Sequence, residues 1–189
     1  MTLPREVTLA DTARGARLAQ KPIRELESLR GRGYRQKNVV VTEDGAVRGR
    51  KPPRLDGRTI EIIAEFDALN ASEFGFMVRQ REEQGDDQQT VIGYDAGTER
   101  LFVNRRRSGI TGFSKAFPGS HEGPVRMHNG RVRMHIFVDR SSVEVFAAGG
   151  KTVITDLIIP RGESKDFEPY AKGSRTLLRS LEAYELDSI

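Results

Sequence analysis

Asp139 and Glu144 are the one pair of carboxylates in this chain whose spacing invites acid–base chemistry, because they flank what reads as a tight turn. Retaining glycosidases hold two carboxyl groups about 5–5.5 Å apart, one as nucleophile and one as acid/base, and a hairpin can supply that separation. A plainer role competes at each position. An Asp that opens a turn commonly bonds nearby backbone, so Asp139, Arg140 and Ser141 read first as a self-satisfied turn. Glu144 alternates with Val143 and Val145 and falls on the opposite strand face, near Phe137, where it either pairs with an arginine or contacts a neighbouring domain. No catalytic residue is therefore expected, and Asp139, Arg140 and Glu144 are kept as candidate sugar contacts together with Arg107. The run Arg105–Arg107 offers planar guanidinium forks to hydroxyl groups, with ordinary solvation as the alternative. His121, His128 and His135 are seven apart, which neither a strand nor a helix turns toward one ion. No metal and no cofactor are expected.

The turn at 139–142 needs two strands to hold it. Val132, Met134, Ile136 and Val138 alternate with Arg131, Arg133, His135 and Asp139, and the alternation resumes at Val143 and Val145. A four-residue loop on a type I turn opposes Val138 to Val143 and Ile136 to Val145. A one-residue slip would turn one apolar set outward, so the pattern fixes the register. The rest of the chain from Tyr34 reads as strands about every ten residues. These are Asn38–Thr42, Thr59–Phe66 (Ile60, Ile62, Ala64 and Phe66 on one face), Phe74–Val78, a Thr90–Tyr94 and Leu101–Val103 hairpin, Val153–Ile159 and Thr176–Leu186. The polar stretch Glu82–Gln89 reads as a loop. The fold class that follows is all-β, a two-sheet antiparallel β-sandwich of the concanavalin-like jelly-roll kind.

Composition removes several functions. Net charge is +4, but Arg105–Arg107 is the one basic run, there is no Trp, and the four Tyr are scattered. A nucleic-acid groove would concentrate basic and aromatic residues, so no nucleic-acid partner is expected. No run approaches the roughly 18 apolar residues of a membrane helix, and no secretory signal opens the chain; a signal would be lost with any missing N-terminal part, so the compartment stays open. Zero cysteines exclude disulfides and thiolate metal sites. With 31% charged residues and a mean hydropathy of −0.53, the surface reads as well solvated. Nine Phe fall mostly at alternating core positions, leaving Tyr34, Tyr94, Tyr170 and Tyr184 for stacking on a sugar, a thin platform.

The stretch Phe137-Val-Asp-Arg-Ser-Ser-Val-Glu-Val-Phe146, a glycine turn, and then Thr155-Asp156 with Ile158 and Pro160 resembles the C-terminal β-sandwich of glycoside hydrolase family 32, the β-fructosidases. Met1–Leu9 and Leu18–Glu27 are similar to the end of that family's catalytic β-propeller and the segment leading out of it. Phe102–Gly109 is similar to a mid-sandwich motif usually written with Asp where this chain has Asn104, and Leu181–Leu186 to the closing strand. The family's hydrolysis uses an Asn-Asp-Pro-Asn nucleophile motif, an Arg-Asp-Pro motif and an acid/base Glu followed by Cys. This chain has no Asn-Asp, no Asp-Pro and no cysteine.

The resemblance implies that residues 1–31 are the remnant of a propeller end plus linker, that 32–189 are the sandwich, and that Met1 marks a truncated gene or a cloned fragment. It implies an ancillary domain of a fructan- or sucrose-cleaving enzyme, inactive alone, that stabilises the missing propeller and assists in holding fructan. An autonomous fructan-binding module, or a subunit whose propeller is a separate chain, are the other readings. Leu3, Val7, Leu9, Leu18, Ile23, Leu26 and Leu29 must find cover, and the edges of Glu6–Leu9 and Arg17–Gln20 must find partners. Residues 1–30 are therefore expected to fray, to fold back onto the sandwich, or to drive formation of a homo-oligomer.

Overall fold

Alternating apolar residues commit most of this chain to strands with one buried face, and such strands need a second layer to cover that face. A computed structural model describes residues 2–12, 15–43, 47–48, 55–81, 87–162 and 164–187. The first strands are β1 (Arg5–Thr12), β2 (Gly15–Pro22), β3 (Arg30–Val41) and β4 (Val47–Arg48). They are followed by β5 (Ile60–Asp67), β6 (Glu73–Arg81), β7 (Gln88–Asp95), β8 (Arg100–Arg107) and β9 (Ser120–Pro124). The last five are β10 (Arg131–Val138), β11 (Ser142–Ala147), β12 (Thr152–Leu157), β13 (Asp166–Lys172) and β14 (Thr176–Leu186).

A large sheet runs in the order β12-β11-β10-β5-β14-β3-β4 and a smaller one in the order β13-β6-β7-β8-β9. Ile60, Ile62, Ala64 and Phe66 of β5 point into the space between them, as do Phe74, Phe76 and Val78 of β6. Phe66 meets Phe74 and Phe76 at ring-centroid distances of 5.2 and 5.4 Å, which ties the sheets together at one point of the core. The sandwich expected from the apolar pattern is the one observed.

The β10–β11 hairpin has the expected register, with Val138 opposite Val143 and Ile136 opposite Val145. Asp139 N donates to Ser142 O at 2.8 Å and closes the turn. Just before β10, Asn129 (φ 53°) and Gly130 (φ 72°) take the two left-handed positions of a tight turn, bracketed by the His128–Arg131 bridge.

Several expectations change in detail. Gln88 and Gln89 belong to β7 rather than to a loop, and residues 82–86 of the expected loop lie outside the described residues. Arg105–Arg107 form the end of strand β8. Tyr94, Tyr170 and Tyr184 are buried, so they are not available for sugar stacking. Burial pushes the Tyr94 hydroxyl up to about 12, helped by Glu99 and Asp95.

The N-terminal residues fold back. β1 and β2 pair with each other over their whole length, Leu9 opposite Leu18, so the two expected strands satisfy one another's inner edges. A 3-10 turn at Arg24–Leu29 then delivers the chain into β3, which runs through residue 31. The hairpin sits on the sandwich through Gly150 (φ 88°), where a Cβ would lie 2.2 Å from Gln20 O. Only glycine permits that approach and that backbone angle.

Val143 is fully buried between the sheets. Val143→Asp places an unpartnered carboxylate there, at a cost of about 3 kcal/mol or more out of a typical ~5–15 kcal/mol. The variant is expected to melt far below the parent by circular dichroism; an unchanged melting temperature would contradict the core assignment.

Candidate functional site

The outer face of the large sheet carries side chains that a solvent-facing sheet does not bury. Glu61 on β5 and Glu144 on β11 are each 2% exposed, and Phe137 and Phe146 beside them are 4% exposed. Period-two geometry sends Glu61 outward because Ile60 and Ile62 point inward, and it does the same to Glu144 between Val143 and Val145. His135 completes the row, 4.7 Å from Phe137 by ring centroids, while Phe137 and Phe146 meet edge to face at 6.2 Å.

An isolated buried carboxylate is costly, and burying two on one face requires cations. The N-terminal segment supplies them. Arg5 of β1 reaches Glu144 Oε2 through Nη2 at 2.5 Å and lies 5.2 Å from the Phe146 ring centroid. Leu3 N donates to the other Glu144 oxygen at 2.7 Å. Arg30, where β3 begins, donates through Nε and Nη2 to both oxygens of Glu61 at 2.5 and 2.9 Å. Its guanidinium lies 4.7 Å from the Tyr184 ring centroid, and His135 Nε2 shares Glu61 Oε1 at 2.6 Å. Burial pushes the Glu61 carboxyl up, but the bonds from Arg30 and His135 outweigh it and hold the group below its ordinary range.

The four candidate sugar contacts divide between two places. Glu144 is on this outer face, opposite Phe137 as the register indicated, and of its two expected roles it takes the ion pair, with Arg5. Asp139, Arg140 and Arg107 lie exposed at one end of the sandwich, where β10 and β8 finish and β11 begins. That end is knit together by Ile158 N donating to Ser141 O at 2.9 Å and Arg105 Nη1 donating to Leu157 O at 3.0 Å. Asp139 Oδ1 accepts from Arg140 N at 2.7 Å. Asp139 and Glu144 thus sit on different surfaces, each with its own partner, and do not face a common substrate position. Beneath the same end lies buried Arg79, whose guanidinium is pulled below its ordinary value by desolvation and the charge of Arg58, against the opposing pull of Asp56 and Asp139.

The histidines are held apart. His121 Nδ1 lies 2.6 Å from Asp156 Oδ1 between β9 and β12, whereas His135 belongs to Glu61. Among the described residues there is no cluster of three His, Asp or Glu able to hold a metal. Sequence reading missed Glu61, Arg30 and Arg79. Their partners are distant in the chain, and the sole local signal was a glutamate inside a β-branched strand.

Residues 25–185 match the family described as glycosyl hydrolases family 32 C terminal. A levanase of Bacillus subtilis (strain 168) is 39% identical over 193 residues, covering 100% of this chain and 27% of the levanase. A levanase of Bacillus sp. (strain L7) is 36% identical over 196 residues, covering 100% of this chain and 20% of its own length. The crystal structure of exo-inulinase from Aspergillus awamori superposes with a TM-score of 0.86 at 29% identity, over 100% of this chain and 36% of that one. The chain therefore spans about a third or less of each of these relatives.

Glu61, depressed in the folded state against roughly 4.3 when unfolded, adds stability above that unfolded value and loses it as pH falls through the folded value. Glu61→Gln is expected to cost about 2 kcal/mol at pH 7. Its stability curve should converge on that of the parent in acid. Denaturant titrations between pH 7 and pH 3 check this; a constant gap across that range would refute it.

Proposed function

The chain belongs to the C-terminal family of glycosyl hydrolases family 32, and from that premise we propose that it is the ancillary sandwich of a β-fructosidase, inactive alone. The carrying observation is the N-terminal segment, pinned to the sheet by Arg5 and Arg30 yet bearing exposed apolar side chains. Val7, Leu9 and Leu18 share one face of the β1–β2 hairpin and are 55, 75 and 59% exposed. We read residues 1–31 as the last piece of a catalytic propeller plus its linker, and 32–189 as the sandwich that braces it. The hairpin's open face would pack on the propeller and transmit the rigidity of the clamped sheet to it. The levanases that align with all of this chain are longer proteins, which supports this division of labour.

A fructan- or sucrose-type carbohydrate is the proposed partner of the whole enzyme. The end bearing Arg107, Asp139 and Arg140 is the surface of this domain suited to assist in holding it. The same end carries Phe113, 59% exposed and tilted against Phe117 at a centroid distance of 4.6 Å, with Phe117 under the Arg105 guanidinium at 4.2 Å. An exposed ring beside guanidinium groups also favours the second reading, an autonomous fructan-binding module. Affinity electrophoresis in levan and inulin gels separates them, since a binding module is retarded by itself.

Two outcomes are expected of the purified 189-residue chain. It releases no fructose from sucrose, inulin or levan; steady release abolished by Asp139→Asn would overturn the reading. Without a propeller the hairpin face pairs with a second copy, so sedimentation velocity should show dimers that Leu9→Ser/Leu18→Ser returns to monomer. A monomeric parent would reject self-association through this face.

A further inference from the structure

The end of the sandwich opposite the Asp139 turn holds a cleft of about 750 Å³ between the hairpin, the 124–130 loop, the start of β10 and the 148–151 turn. That volume is in the range of small-molecule sites, about 300–1,000 Å³. Arg17, Arg126, Arg131, Arg133 and Lys151 line it, against the single carboxylate of Glu65. Four separate elements place these cations, so their convergence is a property of the fold and not of a basic run in the sequence.

The cations are poorly compensated. Glu65 lies directly across the β5–β10 ladder from Arg133. Arg131 Nε is 3.9 Å from Asp67 Oδ2, beyond hydrogen-bond distance, and is buried with no hydrogen-bond partner. Asp67 Oδ2 is already engaged by Arg179 at 3.2 Å. Arg17, Arg126, Arg133 and Lys151 make no ion pair or side-chain hydrogen bond with any described residue. Like charges gathered in a concave, low-dielectric wall focus a positive field into the cleft. Its apolar floor is formed by the partly buried Met127 and Ala148.

We propose that this cleft binds a small, multiply charged phosphate-bearing ligand with a carbon body, the phosphates held by Arg131, Arg133 and Lys151 and the carbon body resting on Met127 and Ala148. Guanidinium forks match phosphate oxygens two at a time, and several converging cations favour a multiply charged anion over a lone carboxylate. Arg17 reaches the cleft from β2, so the ligand would bridge the hairpin and the sandwich.

Calorimetric titration of the 189-residue chain with inorganic pyrophosphate, a hexose bisphosphate and neutral fructose tests the proposal. Saturable binding of either phosphorylated probe is expected, with no binding of fructose. Tighter binding of the bisphosphate would assign the apolar floor a role, and tighter binding of pyrophosphate would confine recognition to the phosphates. Arg131→Gln/Arg133→Gln should weaken binding about tenfold or more, while Arg106→Gln at the far end leaves it unchanged. If the double variant melts early, Arg126→Gln on its exposed loop serves instead. No saturable heat with either phosphorylated probe, or equal weakening by Arg106→Gln, overturns the proposal.

Discussion

Two carboxylates buried on the outside of a sheet govern how this molecule is put together. Glu61 and Glu144 are nearly inaccessible although neither points into the space between the sheets. Removing a cation from such a group costs more than forming the pair returns, because an unpaired charge stays out of water. Arg5 and Arg30 are therefore structural requirements of the large sheet, and both belong to the segment that precedes most of it. Phe137 and Phe146 gain burial from the same arrangement, so charge and apolar area hold the segment in place together. A sandwich beginning after Arg30 would keep its inner core and leave both glutamates without their arginines.

What was legible in the sequence is what repeats every two residues. Ile60, Ile62, Ala64 and Phe66 named their own face, and the match of Val138 to Val143 across a four-residue turn determined the hairpin register. Outer-face chemistry was not legible, for a physical reason. Arg30 and Glu61 are 31 residues apart, and Arg5 and Glu144 are 139 apart, so no local pattern links them. Alternation correctly sent Glu61 outward, but outward on a strand means solvent only if nothing docks there.

The candidate site was legible in part. The turn at Asp139 and the outward position of Glu144 followed from residue type and register, whereas the placement of Arg107 with Asp139 and Arg140 at one end depended on strand order. Aromatic count misled: Tyr170 is buried with its hydroxyl on Glu73 at 2.9 Å, a role that composition does not distinguish from an exposed stacking ring. Phe113, which no periodicity singled out, is the ring left in solvent.

The same electrostatics act against acid–base catalysis by the buried carboxylates. A glycosidase acid must keep its proton near neutral pH, which requires a carboxyl raised by apolar burial or by a neighbouring carboxylate. The buried acids among the described residues are Glu61, Glu144 and Asp156, and each has a basic side chain against it: Arg30 and His135, Arg5, and His121. At Glu61 the net effect is opposite to what an acid catalyst needs, a carboxyl held ionised in spite of its burial. A carboxylate locked to arginine serves cohesion, since releasing its charge for chemistry would release the segment it anchors. Cohesion of the N-terminal hairpin with the sheet is thus obtained from the groups that would otherwise be the candidates for hydrolysis.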